Sequence, residues 1–263
     1  MRPPAGNDEP RKRIPTMTTR KYRPVSTLDG PSHVAVVREI FATITGRYDF
    51  LNHLFSLRRD VAWRRAAAER ARFGKTNRYL DIATGTGDLA MAVAGMHRGI
   101  SVTGLDFVGE MLHRAGEKVR GTSLDGRVAF LRADAMNLPF PGRAFDTAGI
   151  AFGIRNIPDR AGALREMHRV LVPGGVLLVL EMHFPSQPLF RNLYGFYLGR
   201  ILPRMARSFS RNPAAYCYLA DSIMHFPTPD RFVGIMEEAG FSNVRCRPLT
   251  FGITCLYTGV KIP

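Results

Sequence analysis

The chain has 263 residues, 45% of them hydrophobic, which suits one large α/β domain with a sizeable core or two small ones. No stretch approaches the roughly 18 consecutive apolar residues of a spanning helix, and three cysteines (Cys217, Cys246, Cys255) are too few for a disulfide framework, lack metal-ligand spacing and suit a reducing cytosol. The 37 Lys and Arg against 22 Asp and Glu favour anionic partners, nucleic acid or an acidic membrane surface, without choosing between them.

Residues 1–32 are rich in Pro, Arg and Thr and lack apolar periodicity, so they read as a disordered basic leader, with Met17 as an alternative start. From His33 to about Gly74 apolar residues recur at three- and four-residue spacing, which predicts a helical cap over 33–74. Strands and helices then alternate within 75–263. Strands are expected at 78–83, 100–105, 127–132, 145–151 and 175–182, and helices at about 87–96, 109–120 and 159–171. This order implies βαβ units and a parallel sheet with right-handed crossovers. A block over 186–226 interrupts it with "PLFRNLYGFYLGRILPRMARSF" and "AAYCYLADSIMHF", in which Leu189, Phe190, Leu193, Tyr194, Phe196, Tyr197, Ile201 and Leu202 are expected to form one apolar wall. A helix at 228–240 and two strand-like runs, "NVRCRPL" and "FGITCLYTGVK", follow; a turn at Thr250 makes these two antiparallel.

Chemistry gathers at the ends of the first strands. In "YLDIATGTGDLA" the strand leads through Asp81 into Gly85-Thr86-Gly87 and a helix. Glycines there allow backbone conformations closed to other residues and let a ligand approach the main chain. The spacing also fits a dinucleotide fingerprint, so the turn alone does not decide. Asp88 places a carboxylate at the positive helix end, which disfavours a pyrophosphate and tolerates a cation such as a sulfonium. Asp106, about 20 residues on, closes the second strand where both ribose hydroxyls can be accepted. Asp134, at the third, is placed to accept from an adenine amino group, with the Ala135 N–H facing a ring nitrogen. Each Asp taken singly also reads as a helix cap or turn residue.

With these residues in place, "LDIATGTGDLA", "GLDF", "ADAMNLPFP", "FDTAGIAFGIRNIPD", "ALREMHRVLVPGG" and "LVLEM" resemble, in order and spacing, the class I S-adenosylmethionine-dependent methyltransferases. The flanking "YDFLNHLFSL", "YCYLADSIMHFP", "AGF" and "LTFGI" are similar to the ubiquinone/menaquinone biosynthesis C-methyltransferases within that class, closest to demethylmenaquinone methyltransferases, over about residues 35–261. The chain departs from the pattern at Thr84 and at Ala151, where a Ser is common, and in "LRRDVA" before Trp63.

The resemblance implies a seven-stranded, mostly parallel Rossmann-like sheet with helices on both faces, a helical cap and a helical lid. It implies S-adenosyl-L-methionine as cofactor and no metal. The cofactor would be held by Tyr48, Asp81, Gly85, Thr86, Gly87, Asp106, Phe107, Asp134, Ala135 and Ala151, with Asp49 beside Tyr48 in the cap. The substrate would be a polyprenylated quinol methylated on a ring carbon. Arg155, Asn156 and His183 are the catalytic candidates. Arg155 would stabilise a phenolate, Asn156 would orient a hydroxyl or water, and His183 has the pKa of a general base. An ion pair from Arg155 to Asp159 or Glu181, and a structural role for His183, are the plainer alternatives. Arg191, Arg200, Arg204 and Arg207 beside the apolar wall suggest peripheral contact with an anionic membrane at the inner face of the cell membrane, from the cytoplasm. A homodimer is compatible with all of this.

Two other activities are weighed. "NPAAY" at 212–216 resembles the element with which base methyltransferases hold a flipped-out base, but it sits some sixty residues past the fourth strand, so no nucleic acid is expected. A dinucleotide-dependent dehydrogenase leaves Asp134 and "RVLVPGG" unexplained. A non-catalytic quinone- or lipid-binding module would need a broken cofactor pocket, and Gly85, Gly87, Asp106 and Asp134 are all present. Between the ubiquinone and menaquinone precursors, "DIATGTGD" and "FGIRNIPD" favour demethylmenaquinol.

Overall fold

The computed structural model describes residues 30–204 and 214–262. The leader therefore lies outside the described residues except for 30–32, which already belong to the first helix, α1 (Gly30–Ile44). The cap continues through α2 (Tyr48–Phe55) and α3 (Arg59–Ala68).

Seven strands form one sheet: β1 (Arg78–Ile82), β2 (Ser101–Asp106), β3 (Val128–Arg132), β4 (Phe145–Ala151), β5 (Leu171–Met182), β6 (Phe241–Leu249) and β7 (Thr254–Lys261). Their spatial order is β3-β2-β1-β4-β5-β7-β6. The first five pair in parallel, and β7 runs antiparallel between β5 and β6. The order reverses between β1 and β4, and that switch point opens a crevice at the strands' C-terminal ends. β5 begins at Leu171, four residues before the expected start. Leu171 pairs with Phe145 across a register shift before the ladder resumes at Thr147 and Val176. The "VPGG" sequence is thus the irregular stretch of a longer strand.

Helices α4 (Asp88–Met96), α5 (Gly109–Val119), α6 (Arg160–Val170) and α9 (Pro229–Glu238) lie within one or two residues of expectation. The buried strands read as nearly continuous apolar runs because helices cover both faces. Leu80, Leu177 and Val179 pack with Leu164, Met167 and Phe232 of α6 and α9 on one face. Their neighbours Tyr79, Leu178 and Leu180 pack with Trp63, Ala67, Leu89 and Val93 of α3 and α4 on the other. Successive residues pointing to opposite faces is the strand's period of two at work.

A third core lies outside the sheet. It joins α1 (Val37, Ile40) to α7 (Pro188–Phe196), to the π-helical turn Tyr197–Ile201 and to α8 (Ala214–Met224), through Tyr194, Leu198, Leu202, Tyr216, Tyr218 and Ile223. The insertion is thus not one apolar wall. Tyr194, Leu198 and Leu202 point inward, whereas Leu189, Leu193 and Phe196 are 74%, 63% and 51% exposed. Arg207 falls outside the described residues, and the described part of "NPAAY" opens α8.

Candidate functional site

The crevice at the strand ends holds a partly enclosed cavity, the position expected for a ligand site in an open α/β sheet. Tyr48, Gly85, Asp106, Phe107, Asp134, Ala135, Ala151 and Asn156, all named from the sequence, line it. The backbone turns at its floor depend on glycine. Gly85 has φ +56°, and a Cβ there would meet only the Tyr48 ring, at 3.9 Å, so the main chain stands open to a ligand. Gly87 has φ +82° and lies so close to Phe130 that a Cβ would approach its ring to 3.0 Å. The second glycine serves packing and the first serves access.

Asp106 is 7% exposed. Its Oδ2 accepts the Gly85 N–H and its Oδ1 the Val108 N–H, each at 2.9 Å. Burial raises its pKa, opposed by backbone N–H groups of Val108, Gly85 and Phe107. A carboxylate fixed in this way presents its remaining lone pairs at one position in the cavity wall. Asp134 is anchored by the Met136 N–H at 2.9 Å, beside Ala135. Phe107, Met111 and Met136 supply apolar surface between these carboxylates.

Five of the expected residues do not line the cavity. Asp81 lies beneath the glycine turn, where Oδ2 accepts from the Thr84 hydroxyl at 2.5 Å and the Ala90 N–H at 3.1 Å. Its Oδ1 has no hydrogen-bond partner among the described residues, and burial pushes its pKa up to about 7. Asp81 is thus a brace joining turn to helix. The Thr86 hydroxyl donates to Asp49 Oδ1 at 2.5 Å, tying α2 to the turn. Gly87 plays its packing part.

Arg155 is buried. Its Nη1 donates to Glu181 Oε1 and to the Phe152 carbonyl, both at 2.6 Å, while its backbone N–H donates to Glu181 Oε2 at 3.1 Å. Burial opposes the charge, but Glu181 and the nearby Tyr48 and Tyr218 more than offset that, so the guanidinium pKa is raised. Of the two ion pairs open from the sequence, Glu181 is the one made. The pair fixes the loop that presents Asn156. His183, 2% exposed, bonds the Tyr257 hydroxyl at 2.6 Å, and desolvation lowers its pKa to about 4. It lies away from the cavity, and this environment suits a structural histidine rather than a general base.

Asp88 also behaves differently from its sequence reading. Its carboxylate meets Lys118 Nζ at 2.5 Å and Arg64 Nη2 at 3.5 Å, and Lys118 reaches Asp49 as well at 3.0 Å. The negative charge at the helix end is thus neutralised by side chains and does not face the ligand space. Arg64 continues the network to Asp60, which also accepts from Ser56 and bonds His53. This network in "LRRDVAWRR" pins the cap to the turn.

Sequence reasoning missed the roof. Val34, Val37 and Phe41 of α1 line the cavity, and their spacing of three and four was a legible amphipathic signal. It also missed Tyr218, whose hydroxyl donates to Asn156 Oδ1 at 2.9 Å, and His33, whose Nε2 lies 2.9 Å from the same hydroxyl. Among the described residues no group of three or more His, Cys, Asp or Glu could hold a metal.

The residues present fit S-adenosylmethionine. Buried Asp106 faces the crevice, Asp134 and Ala135 offer an acceptor and a donor side by side, and Gly85 leaves an open cradle beneath an aromatic ring.

Comparison with solved structures agrees on the fold. A SAM-dependent methyltransferase from Thermotoga maritima superposes with TM-score 0.60 at 21% identity, covering 85% of this chain and 98% of its own. The cyclase SpnF superposes with TM-score 0.58 at 21% identity, covering 77% and 80%. Among relatives in sequence, the ubiquinone/menaquinone biosynthesis C-methyltransferase UbiE of Geotalea daltonii is 43% identical over 226 residues, 86% of this chain and 96% of the relative. The demethylmenaquinone methyltransferase of Deinococcus radiodurans is 41% identical over 245 residues, 93% of this chain and all of the relative. That of Thermus thermophilus is 44% identical over 84% of this chain and 99% of its own length. The model of the ubiE/COQ5 methyltransferase family matches residues 31–261, and the chain belongs to that family.

Proposed function

We propose that this protein methylates a ring carbon of a polyprenylated quinol from S-adenosylmethionine, with demethylmenaquinol as the preferred acceptor. The observation that carries the reading is the cavity itself, which has adenosine-type acceptors at the ends of β2 and β3 and a polar Asn156 at the end of β4 under an apolar roof. When bound, S-adenosylmethionine supplies an electrophilic methyl group, and the ring carbon that accepts it gives up its hydrogen as a proton.

The protein's part is binding, orientation and exclusion of water. Asp106 holds the ribose hydroxyls, and Asp134 with the Ala135 N–H holds the adenine edge. Tyr48 and Gly85 flank the methionine end. Asn156 meets a ring oxygen, and the buried Arg155–Glu181 pair holds the loop that carries it. Val34, Val37 and Phe41 close the roof with apolar surface, which strengthens each polar contact beneath them.

The acceptor's tail needs an apolar approach, and α7 offers one. Leu189, Leu193 and Phe196 form an exposed row with Phe190, which stacks on the exposed Phe251 at 4.4 Å between ring centroids. The Tyr197 hydroxyl donates to the Phe55 carbonyl at 2.9 Å, which ties this segment to the end of α2. Arg191 and Arg200 flank the row, packed over Phe184 and Phe196. No helix among the described residues is long and apolar enough to cross a membrane. We therefore read this face as lying against an anionic bilayer, from which the substrate enters.

The test uses labelled S-adenosylmethionine with reduced demethylmenaquinone, reduced 2-methoxy-6-polyprenyl-benzoquinone, or a mixture of DNA and RNA. Label in the naphthoquinol alone supports the reading, and label in both quinols makes the enzyme dual-purpose. Label only in nucleic acid would sink it.

A further inference from the structure

An amide side chain has two edges of opposite polarity, an oxygen that accepts and a nitrogen that donates. Asn156 lines the cavity, and the edge it shows an acceptor is set from behind. The Tyr218 hydroxyl has one proton and donates it to Asn156 Oδ1 at 2.9 Å. Its oxygen can then only accept from His33 Nε2, also at 2.9 Å, so His33 carries its hydrogen on that nitrogen. The reverse wiring would turn Asn156 Oδ1 toward the Phe152 carbonyl, which now lies 3.5 Å from Asn156 Nδ2 and already receives Arg155 Nη1. Two carbonyl oxygens would then face each other, which disfavours that arrangement.

His33 and Tyr218 are 5% and 2% exposed, so water does not compete for these bonds. The charged groups around Tyr218 are Arg155, Arg160, Glu181 and Asp221, and Arg160 faces His33. Burial, with Arg160, holds His33 below its ordinary pKa, which keeps the ring neutral and its tautomer meaningful. The three residues come from three separate parts of the chain: His33 from α1, Tyr218 from α8 and Asn156 from the loop after β4. α1 also roofs the cavity, so seating the roof and wiring Asn156 are one event.

We propose that Tyr218 and His33 are positioning residues for methyl transfer, fixing the Asn156 amide with its N–H edge toward the acceptor's ring oxygen so that the site prefers the ionised hydroxyl. An ionised oxygen has no proton to give and needs a donor, whereas a neutral hydroxyl pairs with either edge. An acceptor held as its phenolate carries more electron density on the adjacent carbon. This inference rests on the reading above that the quinol ring meets Asn156.

The experiment is methyl transfer to reduced demethylmenaquinone in detergent across pH, with S-adenosylhomocysteine affinity measured by calorimetry on the same samples. Tyr218→Phe removes one hydroxyl and should lower kcat about tenfold. It should also move the limb on which kcat rises with pH upward by about one unit, leaving acceptor KM and S-adenosylhomocysteine affinity within about twofold. His33→Gln keeps a donor and should retain most of kcat, whereas His33→Leu should fall as Tyr218→Phe does.

If Asn156→Ala loses kcat while Tyr218→Phe matches wild type at every pH, the wiring is overturned and the acceptor site stands. If Asn156→Ala has no effect, the acceptor placement fails and the inference with it. Equal losses in kcat and S-adenosylhomocysteine affinity for Tyr218→Phe would mark a merely structural bond and overturn the positioning role. His33→Gln failing together with His33→Leu would remove His33 from it.

Discussion

The two halves of this site are built on different principles. On the sheet side, each polar group sits at the C-terminal end of a parallel strand and is anchored by backbone N–H groups of the strand-end turns, as Asp106 is by Gly85 and Val108. On the acceptor side, each polar group is held by a side chain from a distant segment: Tyr218 to His33 across 185 positions, Arg155 to Glu181 across 26, Lys118 to Asp49 across 69. Backbone anchoring follows from the fold and survives many changes of side chain. Side-chain anchoring has to be specified residue by residue, and a family sharing one sheet can vary its acceptor through this half. SpnF, a cyclase by name, superposes on the same fold, which agrees with chemistry residing in the site rather than in the sheet.

Four variants, one of them double, probe that division, taken from the largest expected effect to the smallest. Asp106→Ala should weaken S-adenosylhomocysteine binding by roughly 100-fold in calorimetry, because two charge-assisted bonds are lost. A loss under about threefold would place the ribose elsewhere. Leu193→Asp with Phe196→Asp should cut sedimentation with anionic vesicles by about tenfold, since two exposed apolar side chains that would enter the bilayer are lost and two negative charges are added. Turnover of a short-tailed acceptor in detergent should hold. Vesicle binding unchanged by this pair would remove α7 from the membrane face.

The third and fourth are pH tests of buried groups outside the cavity. Asp81 has its pKa raised to about 7 from 3.8 by burial, so the folded chain retains a proton that the unfolded chain releases between those values. Stability therefore falls as pH rises through that window. Asp81→Asn keeps an acceptor for Thr84 and Ala90 and should raise the melting temperature at pH 8, by an amount worth on the order of 2 kcal/mol. A lower melting temperature at pH 8 would show that the charge is needed. His183 runs the other way: its pKa is lowered to about 4 from 6.5, so the unfolded chain takes up a proton first and stability is lost as pH falls across that range. His183→Gln should flatten this acid limb in thermal melts while leaving methyl transfer within about twofold. A large loss of kcat would restore His183 to the chemistry.

The same contrast explains what could be read in advance. Asp106 and Asp134 were visible because a strand, a closing carboxylate and a helix follow one another within a few residues, and the parallel order brings the strand ends together. Leu171 to Gly174 fell outside the expected strand because Pro173 and Gly174 carry little strand signal, whereas Leu171 pairs with Phe145 and the ladder resumes at Val176. Asp81 and His183 carried the right residue types for function at strand ends, but only the tertiary structure reveals that they are buried and do not line the cavity. Asp88 read as a helix-end charge tolerant of a cationic ligand because its neutralising partners, Lys118 and Arg64, lie 30 residues beyond it and 24 before it. Tyr218 and His33 left no local trace, since neither periodicity nor spacing links residues 185 positions apart in the chain.

The most direct measurement is the single-turnover rate of methyl transfer to reduced demethylmenaquinone at saturating cofactor, for Asp106→Ala beside Asn156→Ala. A cofactor side that binds and an acceptor side that orients should leave Asp106→Ala within about threefold of wild type and slow Asn156→Ala by about 100-fold. The reverse order, or equal losses in both, would contradict the division of labour between the two halves.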